Sequence, residues 1–69
     1  MDKQISFNEY VKNYAKEHNL TLLEISKKIG VSYQVFSKWL HGKSKPSFEN
    51  CKIISKEIGY IFNDINDIN

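Results

Sequence analysis

Apolar residues recur at helical spacing along most of this 69-residue chain. Phe7, Val11 and Tyr14 form one stripe, Ile25 and Ile29 a second, and Phe48, Cys51, Ile54 and Ile58 a third. Between the last two, Val35, Phe36, Trp39 and Leu40 gather on one side of a helical wheel. Spacings of three and four residues return a side chain to the same helix face, so these runs predict amphipathic helices near residues 6–18, 21–29, 32–41 and 47–58. A short fifth helix, poorly capped, is expected near 61–67, with Phe62 and Ile65 closing the bundle. No period-two alternation competes, and the connections are only a few residues long. The expected fold class is all-α, a five-helix compact bundle forming one domain over residues 1–69.

The helix ends are written into the sequence as clearly as the faces. Ser6-Phe7-Asn8-Glu9 and Thr21-Leu22-Leu23-Glu24 both fit a capping box, with hydroxyl and carboxylate each accepting from the other's backbone amide. Each has a staple pair across it, Ile5 with Tyr10 and Leu20 with Ile25. Ser32, flanked by Val31 and Phe36, starts the third helix, and Ser47 after Pro46 starts the fourth. At the other ends, Asn19, Gly30, Gly42 and Gly59 stand where a left-handed residue stops a helix.

Composition narrows the class. With 41% hydrophobic and 13% aromatic residues the chain can build a packed core, which excludes a disordered tail. Met1 through Ser6 lacks the apolar run of a signal peptide, and no stretch approaches the roughly 18 apolar residues of a membrane span. Cys51 is the single cysteine, so no internal disulfide forms, and a reducing, cytoplasmic setting is expected. On its apolar stripe Cys51 reads as a small buried hydrophobe rather than a nucleophile. His18 and His41 have no companions at ligand spacing, so neither a metal nor a cofactor is expected. Paired carboxylates, a nucleophile with its base and a phosphate-cradling glycine loop are all missing, so the chain does not read as an enzyme.

Charge is distributed unevenly. All ten basic residues are lysine, and the formal charge is +2. From Ser26 to Phe48 there are five lysines (Lys27, Lys28, Lys38, Lys43 and Lys45) and no acid, whereas the tail from Glu57 carries −3 through Glu57, Asp64 and Asp67. Within the basic stretch the third helix divides its chemistry. At about 100° per residue, Tyr33, Gln34, Ser37, Lys38 and His41 fall in an arc of about 140°, opposite Val35, Phe36, Trp39 and Leu40. The polar arc offers a phenol, an amide, a hydroxyl, an ammonium and an imidazole without one carboxylate, a set able to hydrogen-bond phosphates and base edges without repelling them. Two short helices joined by Gly30-Val31-Ser32 make a helix-turn-helix, whose second helix fits a major groove about 12 Å wide. Lys43 and Lys45 follow in the loop, where cations can clamp a nucleic-acid backbone.

Residues 20–59, from Leu-Thr-Leu-Leu-Glu-Ile-Ser-Lys-Lys-Ile-Gly-Val-Ser through Trp39, Gly42-Lys43 and Pro46-Ser47 to Ile58-Gly59, resemble the phage repressor and Cro-like (XRE) helix-turn-helix family. The resemblance implies a lambda repressor-like fold and a sequence-specific repressor, commonly dimeric, whose partner is double-stranded DNA. Matched by position, it implies base reading by Tyr33, Gln34, Ser37 and Lys38, and backbone contacts from Ser32, Lys43 and Lys45. Gln34 suits the N6 and N7 of adenine, Lys38 the O6 or N7 of guanine, and Tyr33 a thymine methyl.

The chain departs from the family pattern at several points. Leu22 replaces a frequent backbone-contacting glutamine, and Ala15 and Leu40 replace a frequent ion pair, an exchange that leaves the fold unthreatened. Leu23, Ile53, Ile61 and Ile68 stand where polar residues are common, which points to a partner surface. Ile61 and Ile68, seven apart, would share one side of the terminal helix and serve a homodimer interface. The alternative is a second protein as partner, with the chain acting as an antitoxin or a protein-binding adaptor on the same scaffold.

Overall fold

In the computed structural model, which describes residues 5–69, four α-helices follow one another: α1 (Phe7–His18), α2 (Leu22–Ile29), α3 (Tyr33–Leu40) and α4 (Phe48–Ile58). Met1 to Gln4, and with them the charges of Asp2 and Lys3, lie outside the described residues.

Each start carries its expected hydroxyl cap, although of the two expected capping boxes only the one at Thr21 closes and Ser6 caps through its hydroxyl alone. The side chains of Ser6, Thr21, Ser32 and Ser47 accept from the amides of Glu9, Glu24, Val35 and Asn50. At Thr21 the box also closes in return, its amide donating to Glu24 Oε1 at 2.8 Å. Asn19 ends α1 at φ 57°. Its amide donates to the Lys16 carbonyl and that of Leu20 to Ala15, the paired bonds of a Schellman stop.

The helices enclose a core of Val11, Ile25, Ile29, Phe36, Trp39, Leu40, Ile54, Ile58 and Tyr60, with Phe7, Tyr10, Tyr14, Leu20, Leu22, Val31 and Phe62 packed against it. Phe7 is the hub of the aromatic part, its ring 6.1 Å from Phe36, 5.2 Å from Tyr60 and 5.2 Å from Phe62. Ser26 is fully buried yet satisfied, its hydroxyl donating to the Leu23 carbonyl at 2.7 Å. On the surface, Lys28 pairs with Glu57 at 3.8 Å, tying the end of α2 to the end of α4. A pair this exposed contributes at most about 1 kcal/mol.

The expected fifth helix is not formed. Gly59 stops α4 at φ 82°, residues 60–64 run without helical structure, and only a three-residue 3-10 turn follows at Ile65–Asp67. The cause is local. Asp64 Oδ1 accepts from the Asn66 amide at 2.9 Å, and such Asx bonding offers the backbone an alternative to the helix. The segment instead alternates: Tyr60 is buried, Ile61 exposed, Phe62 half-buried and Asn63 exposed. Tyr60, which helical periodicity does not select, thereby joins the core in place of Ile65, which is 81% exposed. The amide of Asn69 donates to the Pro46 carbonyl at 2.8 Å and fixes the end of the segment on the α3–α4 loop.

Two further apolar residues face outward. Phe48 is 62% exposed because it opens α4, where a side chain tilts toward the helix start and past the end of the core; Lys52 covers its ring, 5.6 Å from the centroid. Val35, at the border of the apolar arc of α3, is also exposed.

Gly42 and Gly59 share left-handed backbones, φ 73° and 82°, but not surroundings. A Cβ at Gly42 meets nothing within 4 Å, whereas one at Gly59 lies 3.1 Å from the Tyr10 hydroxyl oxygen. Gly42→Ala should therefore cost about 1 kcal/mol of stability for backbone strain. Gly59→Ala should cost more, since it also displaces the Tyr10 hydroxyl. Urea unfolding of both variants measures this, and equal losses would show that Tyr10 yields freely.

Candidate nucleic-acid interface

The polar face of α3 is built from its two ends. At the start, Ser32 Oγ accepts from the Val35 amide at 3.2 Å, which leaves the hydroxyl proton for an external acceptor. The turn before it, Gly30-Val31-Ser32, is held by the amides of Gly30 and Val31, which both donate to the Ser26 carbonyl at 2.9 and 3.1 Å. Val31 packs on the core, so the angle between α2 and α3 rests on buried contacts. At the far end the Gly42 amide donates to the Trp39 carbonyl at 3.2 Å and the Lys43 amide to the Lys38 carbonyl at 2.8 Å. This Schellman stop turns the chain back over α3 and returns Lys43 to the same side as Lys38.

As a result Tyr33, Gln34, Ser37, Lys38, His41 and Lys43 line one open groove. None of the six is acidic. Their residue exposure is high apart from half-buried Ser37, and Phe36, Trp39 and Leu40 beneath them are buried, so the face is polar outward and anchored inward. His41 reaches back along the helix: its Nδ1 lies 2.9 Å from the Ser37 carbonyl oxygen and 3.3 Å from Ser37 Oγ.

The four expected base readers thus meet on one surface together with Lys43. His41 lines the same groove; it already falls on the polar arc in sequence, but no positional match to the family singles it out. Ser32 stays at the helix start as its N-cap. Lys45 lies elsewhere. It lines a second cleft with Trp39, Pro46, Tyr60, Asp64 and Asp67, facing the acidic C-terminal segment. Four of the five lysines of the basic stretch are accordingly divided, with Lys28 turned toward Glu57, Lys45 toward the tail, and Lys38 and Lys43 on the groove.

Leu22 is half-buried against the core. Ala15 and Leu40 belong to the same apolar packing. Leu23 and Ile53 remain exposed, at 47% and 39%. Ile61 is exposed and Ile68 half-buried, and without a terminal helix the two share no helical side.

A short helix, a three-residue turn and a second helix carrying an acid-free polar face on a buried apolar one define a helix-turn-helix domain. The helix-turn-helix family model matches residues 11–61, and the chain belongs to this XRE-type, Cro-like family of DNA-binding regulatory domains. No curated protein and no solved structure matches the chain. Among the described residues, no helix is long and apolar enough to cross a membrane.

Cys51 sits apart from this face, buried on α4 with the Pro46 carbonyl 4.0 Å from its Sγ. Burial pushes its thiol pKa above the ordinary value, which lowers the thiolate fraction at any pH on the acid side of it. A thiol-reactive reagent at neutral pH should therefore label the native protein far more slowly than the urea-unfolded one. Equal rates would show that Cys51 is open to solvent.

Proposed function

We propose that this protein is a sequence-specific transcriptional repressor that occupies an operator with α3 in the major groove of double-stranded DNA, residues 1–69 acting as one domain in the cytoplasm. The observation that carries the reading is the shared groove of Tyr33, Gln34, Ser37, Lys38 and Lys43, polar and free of carboxylates. Bases are read by Tyr33, Gln34, Ser37 and Lys38. The backbone is held by Ser32 at the start of α3 and by Lys43 and Lys45 in the α3–α4 loop.

Positioning and reading separate experimentally. Gln34→Ala should cost about 1–3 kcal/mol on the preferred sequence and little on random DNA. Lys43→Ala should weaken binding to every sequence alike. In a dimer it removes two phosphate contacts, so the slope of log K against log salt should become shallower by about 1.8, at about 0.9 per phosphate. Titration of both variants against preferred and random duplexes at several salt concentrations gives all of these quantities. A wild-type protein with a flat salt dependence would refute the reading.

The working form is a weak homodimer, tightened on DNA, because two-fold pairing doubles the contacts on half-sites about 34 Å apart. Its contact is the C-terminal segment. Ile61, 61% exposed, and half-buried Ile68 are the residues assigned to it, and Ile65, 81% exposed, lies between them in the chain. Sedimentation of wild type and of Ile61→Asp with Ile65→Asp, free and on operator DNA, should show dimerisation lost in the double variant. A wild type monomeric under both conditions would instead favour the antitoxin or adaptor reading, in which these residues and Leu23 face a different chain.

A further inference from the structure

Of the six residues on the α3 groove, His41 alone has its hydrogen-bonding direction fixed by the fold. Its Nδ1 stands 2.9 Å from the Ser37 carbonyl oxygen, a group that can only accept. The proton of the neutral ring must then reside on Nδ1, donating to that carbonyl, with Ser37 Oγ at 3.3 Å as a second neighbour. This leaves Nε2 as a bare lone pair on an exposed side chain beside Lys38 and Lys43.

The lone pair determines what the ring can meet. Phosphate oxygens are acceptors only, so the neutral ring cannot bond to the backbone through Nε2. The base edges of the major groove present donors of one kind, the exocyclic amino groups of adenine N6 and cytosine N4. The neighbouring residues are biased the other way, since Lys38 and Lys43 only donate, while Gln34, Ser37 and Tyr33 can do either. Among these groove side chains His41 is the one restricted to accepting.

Building on the DNA-binding reading above, we propose that His41 is a specificity-determining residue whose Nε2 accepts a hydrogen bond from an exocyclic amino group, adenine N6 or cytosine N4, at an outer position of the half-site. Seven residues separate it from Gln34, about 10 Å of helix, so it addresses a different base pair.

The test is selection of bound duplexes from a random pool at about pH 8, followed by titration on the selected site. Wild type, His41→Phe, His41→Ala and Gln34→Ala are compared. His41→Phe keeps a ring without the acceptor, and His41→Ala removes the ring. Circular dichroism and thermal unfolding establish that each variant is folded.

Both His41 variants should lose a preference for adenine or cytosine at one position by about three- to tenfold, the range of one hydrogen bond. The position should differ from the one lost in Gln34→Ala. Random-DNA affinity and the salt slope should be unchanged. The selected base identifies which amino group is read.

An unaltered selection in both His41 variants overturns the proposal. So does a uniform loss on all sequences with a shallower salt slope, which would make His41 a protonated phosphate contact. These failures leave salt-dependent wild-type binding in place. Absence of wild-type binding to any duplex would remove the DNA-binding reading itself, and the proposal with it.

Discussion

The structure depends on how four short helices dispose of their last carbonyl groups. An α-helix leaves four carbonyls without intrahelical donors at its end, and α2 and α3 are only eight residues long, so the ends are a large part of each. Left-handed stops satisfy some of them. The rest of the solution comes from α1, which lends side chains to two distant helix ends. The Asn8 amide donates to the Leu40 carbonyl at 3.0 Å, the Tyr10 hydroxyl to Ile58 at 2.7 Å, and the Tyr14 hydroxyl to Glu57 at 3.5 Å. These bonds link residues 32 to 48 positions apart and register α1 against α3 and α4 together. No buried side-chain polar atom among the described residues is left without a partner.

What is local was legible in the sequence. Ser6, Thr21, Ser32 and Ser47 act within one helical turn, so each start could be read to within a residue. The same holds for Asn19 and the three glycines. The polar face of α3 follows from angular spacing alone, and Tyr33, Gln34, Ser37 and Lys38 do share a groove. What depends on distant neighbours was not legible. Phe48 fits its stripe by spacing but lies beyond the end of the core, and whether Lys45 or Lys43 turns toward α3 is decided by the loop. The missing fifth helix had a local signal after all. The asparagines and aspartates after Phe62 favour side-chain bonds to their own backbone, whereas the alternating burial of Tyr60 to Asn63 has no counterpart in the sequence, where Tyr60, Ile61 and Phe62 are all apolar.

Lysine without arginine gives the groove a particular character. An ammonium is a compact point charge on a flexible stem, whereas a guanidinium holds a planar fork. Lys38 and Lys43 supply positive potential more than fixed geometry. Geometric discrimination in the proposed complex therefore falls to the side chains whose positions the helix sets: Gln34, Ser37, Tyr33 and His41. The acidic tail lies on the other side of the α3–α4 loop, beside Lys45, so positive and negative surfaces are separated by the width of one loop.

The bond from Asn8 to the Leu40 carbonyl also bears on modularity. The second helix of such a motif is usually pictured as half of a two-helix unit, yet here the closing carbonyl of α3 is completed by the first helix, and the Phe7 ring stands edge-on to Phe36 beneath its face. Residues 20–45 transplanted alone would carry the sequence of the motif but lose both supports. The smallest portable form of the proposed reader must include α1, and a designer altering the polar face would do better to replace outward side chains on the intact scaffold than to move the motif as a cassette.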